Sequence, residues 1–147
     1  MGMTSFTMST TSPLGYDETV AAVRRELAEV GFGVLTEIDI KATLKTKLDV
    51  DVPSQVILGA CRPDLAHQAM TAAPSIAALL PCNVVVRETP DGTLVEAVDP
   101  DKMMAVAGDD DAAAGALHVV ATDARQRLCV MLDAVAALAA PTEAGAR

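Results

Sequence analysis

Cys61, His67 and Cys82 are the side chains of this sequence best equipped for chemistry. Two sulfurs and an imidazole make a three-ligand set for a soft metal. The histidine alone offers an axial ligand to a haem held between subunits. Cys61 stands just ahead of Arg62-Pro63, and proline suits the first position of a helix. The thiol therefore sits at a helix N-terminus, where the dipole, the free N–H groups and the neighbouring Arg62 favour the thiolate. Against this, a cysteine at a strand end is commonly a small buried hydrophobe. His67 falls in the second turn of that helix, on the side that carries Met70. Cys82 opens the next strand and meets Cys61 only if the two strands pair antiparallel or with a suitable parallel offset.

Glu37 and Asp39 are secondary candidates. Alternate residues of a strand share a face about 7 Å apart, so the two carboxylates can share a proton or hold a hard cation. The plainer expectation is that Asp39 caps the following helix while Glu37 pairs with a lysine such as Lys41. His118 and Cys129 share a helical stripe but lie roughly 16 Å apart along it, too far to share one ion. Met103-Met104 fills a gap in the core. The nucleophile patterns of serine hydrolases and the HExxH of zinc proteases are absent. No catalytic residue can be named.

The elements that must position these groups follow from periodicity. Ser5–Thr10 alternates as a first strand. Asp17 caps a helix whose apolar positions are Val20, Val23, Leu27 and Val30, and Gly31-Phe32-Gly33 stops it. Residues 34 to 40 alternate, with Val34, Thr36, Ile38 and Ile40 on one side. A short helix to Leu48 buries Ile40, Leu44 and Leu48. Gln55–Ala60 is a central strand, and Pro63 to Ala73 a helix with a short continuation to Leu80. Asn83–Glu88 and Thr93–Asp99 form a hairpin about Pro90-Asp91-Gly92. Gly108–Asp111 is an acidic loop. Residues 112–140 form the longest helix, with Leu117, Ala121, Ala124, Leu128, Met131, Val135 and Leu138 inward. The order β-α-β-α-β-α-β-β-α, with a hairpin and no Gly-rich phosphate loop, points to an α+β fold. It is a two-layer domain over residues 5–140, a mixed or mostly antiparallel sheet with helices mainly on one face, and flexible ends at 1–4 and 141–147.

Composition excludes several roles. The chain has 147 residues and a net charge of −9. The cluster Lys41, Lys45 and Lys47 lacks aromatic neighbours and does not make a nucleic-acid site in that field. No run approaches the roughly 20 apolar residues of a bilayer span, so no membrane partner is expected. The N-terminus lacks the pattern of a secretory signal. Three cysteines without CxxC spacing fit a reducing compartment, so the expected location is cytoplasmic.

Three stretches carry a family resemblance: Gly31-Phe32-Gly33-Val34-Leu35-Thr36-Glu37-Ile38-Asp39; Ile57-Leu58-Gly59-Ala60-Cys61-Arg62-Pro63-Asp64-Leu65-Ala66-His67; and Leu79-Leu80-Pro81-Cys82-Asn83-Val84-Val85-Val86-Arg87-Glu88. In content and order the sequence resembles the domain of unknown function 302 (DUF302) family of small bacterial and archaeal proteins, over roughly Ser5 to Leu138. One departure is Arg62, where asparagine is expected. The resemblance implies a compact α+β domain that forms homodimers, and no established activity. Two functions stay open. One is a dimer that binds a small molecule, metal or haem around Cys61, His67 and Cys82. The other is a non-catalytic structural or regulatory dimerisation domain.

Overall fold

Branched residues in alternation make one antiparallel sheet. The computed structural model describes residues 1–106 and 111–139. Its strands are β1 (Gly2–Met3), β2 (Thr7–Ser12), β3 (Gly33–Asp39), β4 (Gln55–Cys61), β5 (Cys82–Thr89) and β6 (Gly92–Val98), in the order β1-β2-β6-β5-β4-β3. Every neighbouring pair is antiparallel. In β5, Val84 and Val86 are fully buried while Val85 and Arg87 stand half-exposed on the other pleat. That alternation leaves one sheet face wet and one covered. Pro90-Asp91 joins β5 to β6, and Gly92 takes φ +128°, which a side chain would resist.

The covering helices are α1 (Tyr16–Glu29), α3 (Pro63–Ala72), α4 (Pro100–Val106) and α5 (Asp111–Ala136), with α2 (Ile40–Leu48) beside the β3 edge. A 3-10 turn over Pro74–Leu79 follows α3. The other three covering helices pack on α5, whose Leu117, Ala121, Ala124, Leu128, Met131 and Val135 are all buried as the periodicity predicts. Leu138, beyond the helix end, is half-buried against the same core.

Several local expectations are corrected. The first main strand begins at Thr7, leaving Phe6 61% exposed, and Gly2–Met3 pairs with it where the sequence suggested a flexible end. α1 starts from Gly15 with no side-chain cap, so Asp17 lies inside its first turn. A β-bulge at Leu35 breaks the simple alternation of β3: Val34 pairs with Ala60, but Thr36 pairs with Gly59. Val34 therefore shares its side with Glu37 and Asp39, while Thr36 and Ile38 face the other way. α2 buries no residue, and Leu48 is 65% exposed, because among the described residues nothing lies over that edge of the sheet. The sequence reading missed α4. Most of the acidic stretch Gly108–Asp111, and the tail 141–147, lie outside the described residues, and α5 takes up the chain from Asp111.

Candidate functional site

β4 and β5 are antiparallel neighbours, so Cys61 and Cys82 arrive at the same end of the sheet. The register pairs Cys82 with Ala60, and Cys61 stands one residue further along. Successive side chains point to opposite faces of a strand. The two cysteines are thus on adjacent rungs but opposite pleats, and all three cysteines are free thiols. Cys82 is 7% exposed, and burial, with Cys61 nearby, pushes its thiol up to about 11. Burial also raises the Cys61 thiol, and Asp64 adds to the rise. The expected thiolate at the helix end is not favoured, because burial outweighs the helix end while the Arg62 guanidinium is directed elsewhere.

Arg62 explains that diversion. Gly31, at φ +84°, ends α1, and a Cβ there would stand 2.1 Å from Arg62 Nη1. Glycine lets the guanidinium lie across the end of α1, where Nη1 donates to the Val30 carbonyl at 3.5 Å. Arg127 Nη1 donates to the same oxygen at 3.3 Å. Cations are favoured at this negative end of a helix. Arg62 Nη2 pairs with Asp64 at 3.1 Å. Its Nε–H is buried and has no partner among the described residues.

Cys61, Arg62 and Cys82 border a crevice between the sheet end and helices α3, α4 and α5. Phe32, Leu65, Ala69, Leu80, Met104 and Ala124 make its walls apolar. The crevice encloses a cavity of about 20 Å³. Such a place can hold the end of a small molecule, and Cys61, Arg62 and Cys82 are the residues at its border that carry polar side chains.

The remaining candidates lie elsewhere or alone. His67 is exposed on α3; its carbonyl accepts from Thr71 Oγ1 at 2.8 Å. Among the described residues, no three His, Cys, Asp or Glu side chains stand close enough to share a metal ion. Asp39 Oδ1 accepts from the Ala42 N–H at 2.9 Å and caps α2, as expected. Glu37 pairs with Arg24 of α1 at 2.9 Å rather than with Lys41, because the bulge turns Glu37 toward the helices. His118 is exposed, and Cys129 is half-buried with its thiol 3.6 Å from Met8 Sδ. Met104 is buried, as expected of a gap-filling methionine.

Sequence reasoning missed two features. Tyr16 borders an open concavity with Asp17, Glu37 and Asp39. Its hydroxyl is pushed up by partial burial and then by the carboxylates of Asp39, Asp17, Glu37 and Glu88. Asp99, 4% exposed, accepts the Asp101 N–H and pairs with Arg125. Asp99-Pro100 was a legible helix-start signal for α4.

No curated protein matches the chain. A crystal structure of an uncharacterised conserved DUF302 protein from Bacillus stearothermophilus has the same fold, with a TM-score of 0.80 and 26% identity over 90% of this chain and 99% of that one. The model of the "Domain of unknown function DUF302" family matches residues 8–135. A match over that span settles membership: the chain belongs to the DUF302 family.

Proposed function

We propose that this protein is a binding domain that takes a small, largely apolar molecule into the crevice beside Cys61, Arg62 and Cys82. The observation that carries the reading is the crevice itself, whose apolar walls from Phe32, Leu65, Ala69, Leu80, Met104 and Ala124 meet Cys61, Arg62 and Cys82 at its border. Ligand sites commonly combine an apolar lining with a few placed polar groups. Catalysis has less support, since burial raises both thiols by the crevice and so disfavours the nucleophilic thiolate. A soft-metal centre shared by Cys61, His67 and Cys82 of one chain has less support, because His67 stands exposed on α3 and no three such side chains come together among the described residues. Three free thiols fit residence in a reducing compartment such as the cytoplasm.

A small neutral probe tests the reading. Butan-1-ol should shift the methyl resonances of Leu65, Leu80 and Met104 in a saturable way. Ala124→Val should abolish that response while circular dichroism shows the fold intact. Shifts spread over the whole surface, or unchanged binding in A124V, would contradict it.

A second reading, homodimerisation, has its own observation. The wet face of the sheet carries half-buried Ile57, Val85, Leu94 and Val98 with Ile38 at 45% exposure. Crossing it is a satisfied polar row in which Thr7 Oγ1 donates to Glu96, and Arg87 bridges Glu96 and Gln55. A patch whose charges are already neutralised suits a second copy related by a twofold axis. The α3 surface is a poorer candidate: Leu65, Ala66 and Ala69 are buried within the chain, leaving Met70 37% exposed. Sedimentation at tens of micromolar should show twice the 15.2 kDa chain mass. A single species at the chain mass would rule this reading out.

A further inference from the structure

We propose that Met3, Met8 and Cys129 form a three-sulfur site for a soft monovalent cation such as copper(I), at the β1 edge of the sheet. Contacts on two different elements meet there. From α5, the Cys129 thiol donates to Met8 Sδ across 3.6 Å. Within the sheet, the register of β1 and β2 pairs Met3 directly with Met8. Directly opposed residues of an antiparallel pair share a face, with Cβ atoms about 4.5–5.5 Å apart. The Met3 arm therefore starts beside the other two sulfurs. Met8 is fully buried, Cys129 is half-buried and Met3 is 60% exposed, so the third sulfur stands on the solvent side, where an ion would enter.

The donor set selects the ion. Thiolate and thioether are the soft ligands that favour copper(I), whereas hard cations want oxygen and structural zinc wants four thiolate or imidazole ligands. With metal–thiolate bonds of about 2.3 Å, sulfurs that share a trigonal ion stand about 4 Å apart. The 3.6 Å pair needs little adjustment to reach that, and methionine has three rotatable bonds with which to make it. On binding, the Cys129 S–H bond breaks, a sulfur–metal bond forms and the proton leaves to water, with no change of oxidation state. Charge points the same way. Burial raises the Cys129 thiol; Arg125 opposes the rise, and the carboxylates of Asp133 and Asp99 add to it. The Arg125 charge is itself shared between Asp99 and Asp101. One monovalent ion neutralises the thiolate, whereas a divalent ion would leave a net charge among apolar groups. Packing alone is the competing account, because methionine commonly fills gaps in a core.

The test adds silver(I), a redox-inert probe of the same softness, to the full chain in chloride-free buffer and follows the methionine ε-methyl resonances. One equivalent should move Met3 and Met8 together and leave Met70 and Met103 in place. Zinc(II) should move neither, and an equal response to zinc would contradict a soft site. Met3→Leu, at an exposed edge position, should weaken silver binding at least about tenfold, since even a partner outside the ligand set commonly costs that much. Cys129→Ser should abolish the joint shift. If C129S does not fold, the wild-type pattern and M3L decide alone. Met3 and Met8 methyls that stay in place overturn the proposal, and a shift at Met104 instead would put the ion beside Cys61 and Cys82. Unchanged affinity in M3L, or a joint shift that survives in C129S, overturns it equally and leaves packing as the reason for the contact.

Discussion

α5 and α2 are both amphipathic on paper, yet one is the spine of the core and the other buries nothing. Leu117, Leu128, Met131, Leu132 and Val135 of α5 are at most 1% exposed. In α2 the equivalent stripe, Ile40, Leu44 and Leu48, is half-exposed or exposed. The difference lies in what the chain places over each helix. α5 lies against the sheet with α1, α3 and α4 around it, whereas α2 hangs beside β3, the last strand. Helical periodicity reports that a face exists. Burial needs a second surface, and that is a property of topology.

The comparison breaks most readily at leucine. Leu128→Ala should destabilise the fold by about 2–5 kcal/mol, whereas Leu48→Ala should stay within about 0.5 kcal/mol. Urea unfolding of both variants checks this, and comparable losses would mean that α2 is covered in solution. Covering of that kind would favour the dimer.

The seam between the edge strand and the sheet is the next place to press. A Cβ on Gly59 would meet Thr36 Oγ1 at 2.1 Å and Pro81 Cγ at 2.8 Å. Gly59→Ala should therefore cost about 1–3 kcal/mol. Adding Thr36→Ala should recover part of that loss, because one of the two clashing groups is removed.

On the covered side, pH gives a test through Cys82. Its thiol ionises near 9.0 when exposed and at about 11 in the fold. The folded state therefore holds the proton longer, and stability present below about pH 9 is lost as pH rises toward 11. Tyr16, Cys61 and Cys129 shift in the same direction, so the wild type alone does not isolate the effect. Cys82→Ala should flatten the decline by about 2 kcal/mol across that window. An unchanged slope would place Cys82 in water.

The smallest effect belongs to α2 itself. With no buried face, this helix depends on the Asp39 cap and on Lys45, which pairs with Asp49 and Asp51. Asp39→Ala should speed amide exchange throughout α2 while lowering global stability by about 1 kcal/mol or less. Asp17→Ala, which removes no cap, should change stability by a few tenths of a kcal/mol.

What was legible in the sequence was local. The α5 stripe, the Pro90-Asp91-Gly92 hairpin, Gly31 at the end of α1, Pro63 at the start of α3 and the Asp39 cap each rest on a few adjacent residues, and each is found in the structure. The bulge at Leu35 was not legible, because one inserted residue leaves the alternation looking intact while it turns Glu37 toward Arg24. The site was half legible for the same reason. That Cys61 ends one strand and Cys82 opens the next could be read directly. That they occupy opposite pleats depends on a register fixed by strand pairing. The role of Arg62 depends on three contacts, with Val30, Gly31 and Asp64, of which only the last is near in sequence.

The most direct test of the crevice as the binding site is the pattern of intermolecular NOEs from bound butan-1-ol to protein methyl groups. The account predicts NOEs to Leu65, Leu80 and Met104, which line the crevice, and none to Leu48 or Val50, which stand exposed in and beyond α2. NOEs confined to Leu48 and Val50, or to Ile57 and Val85 on the wet sheet face, would contradict it.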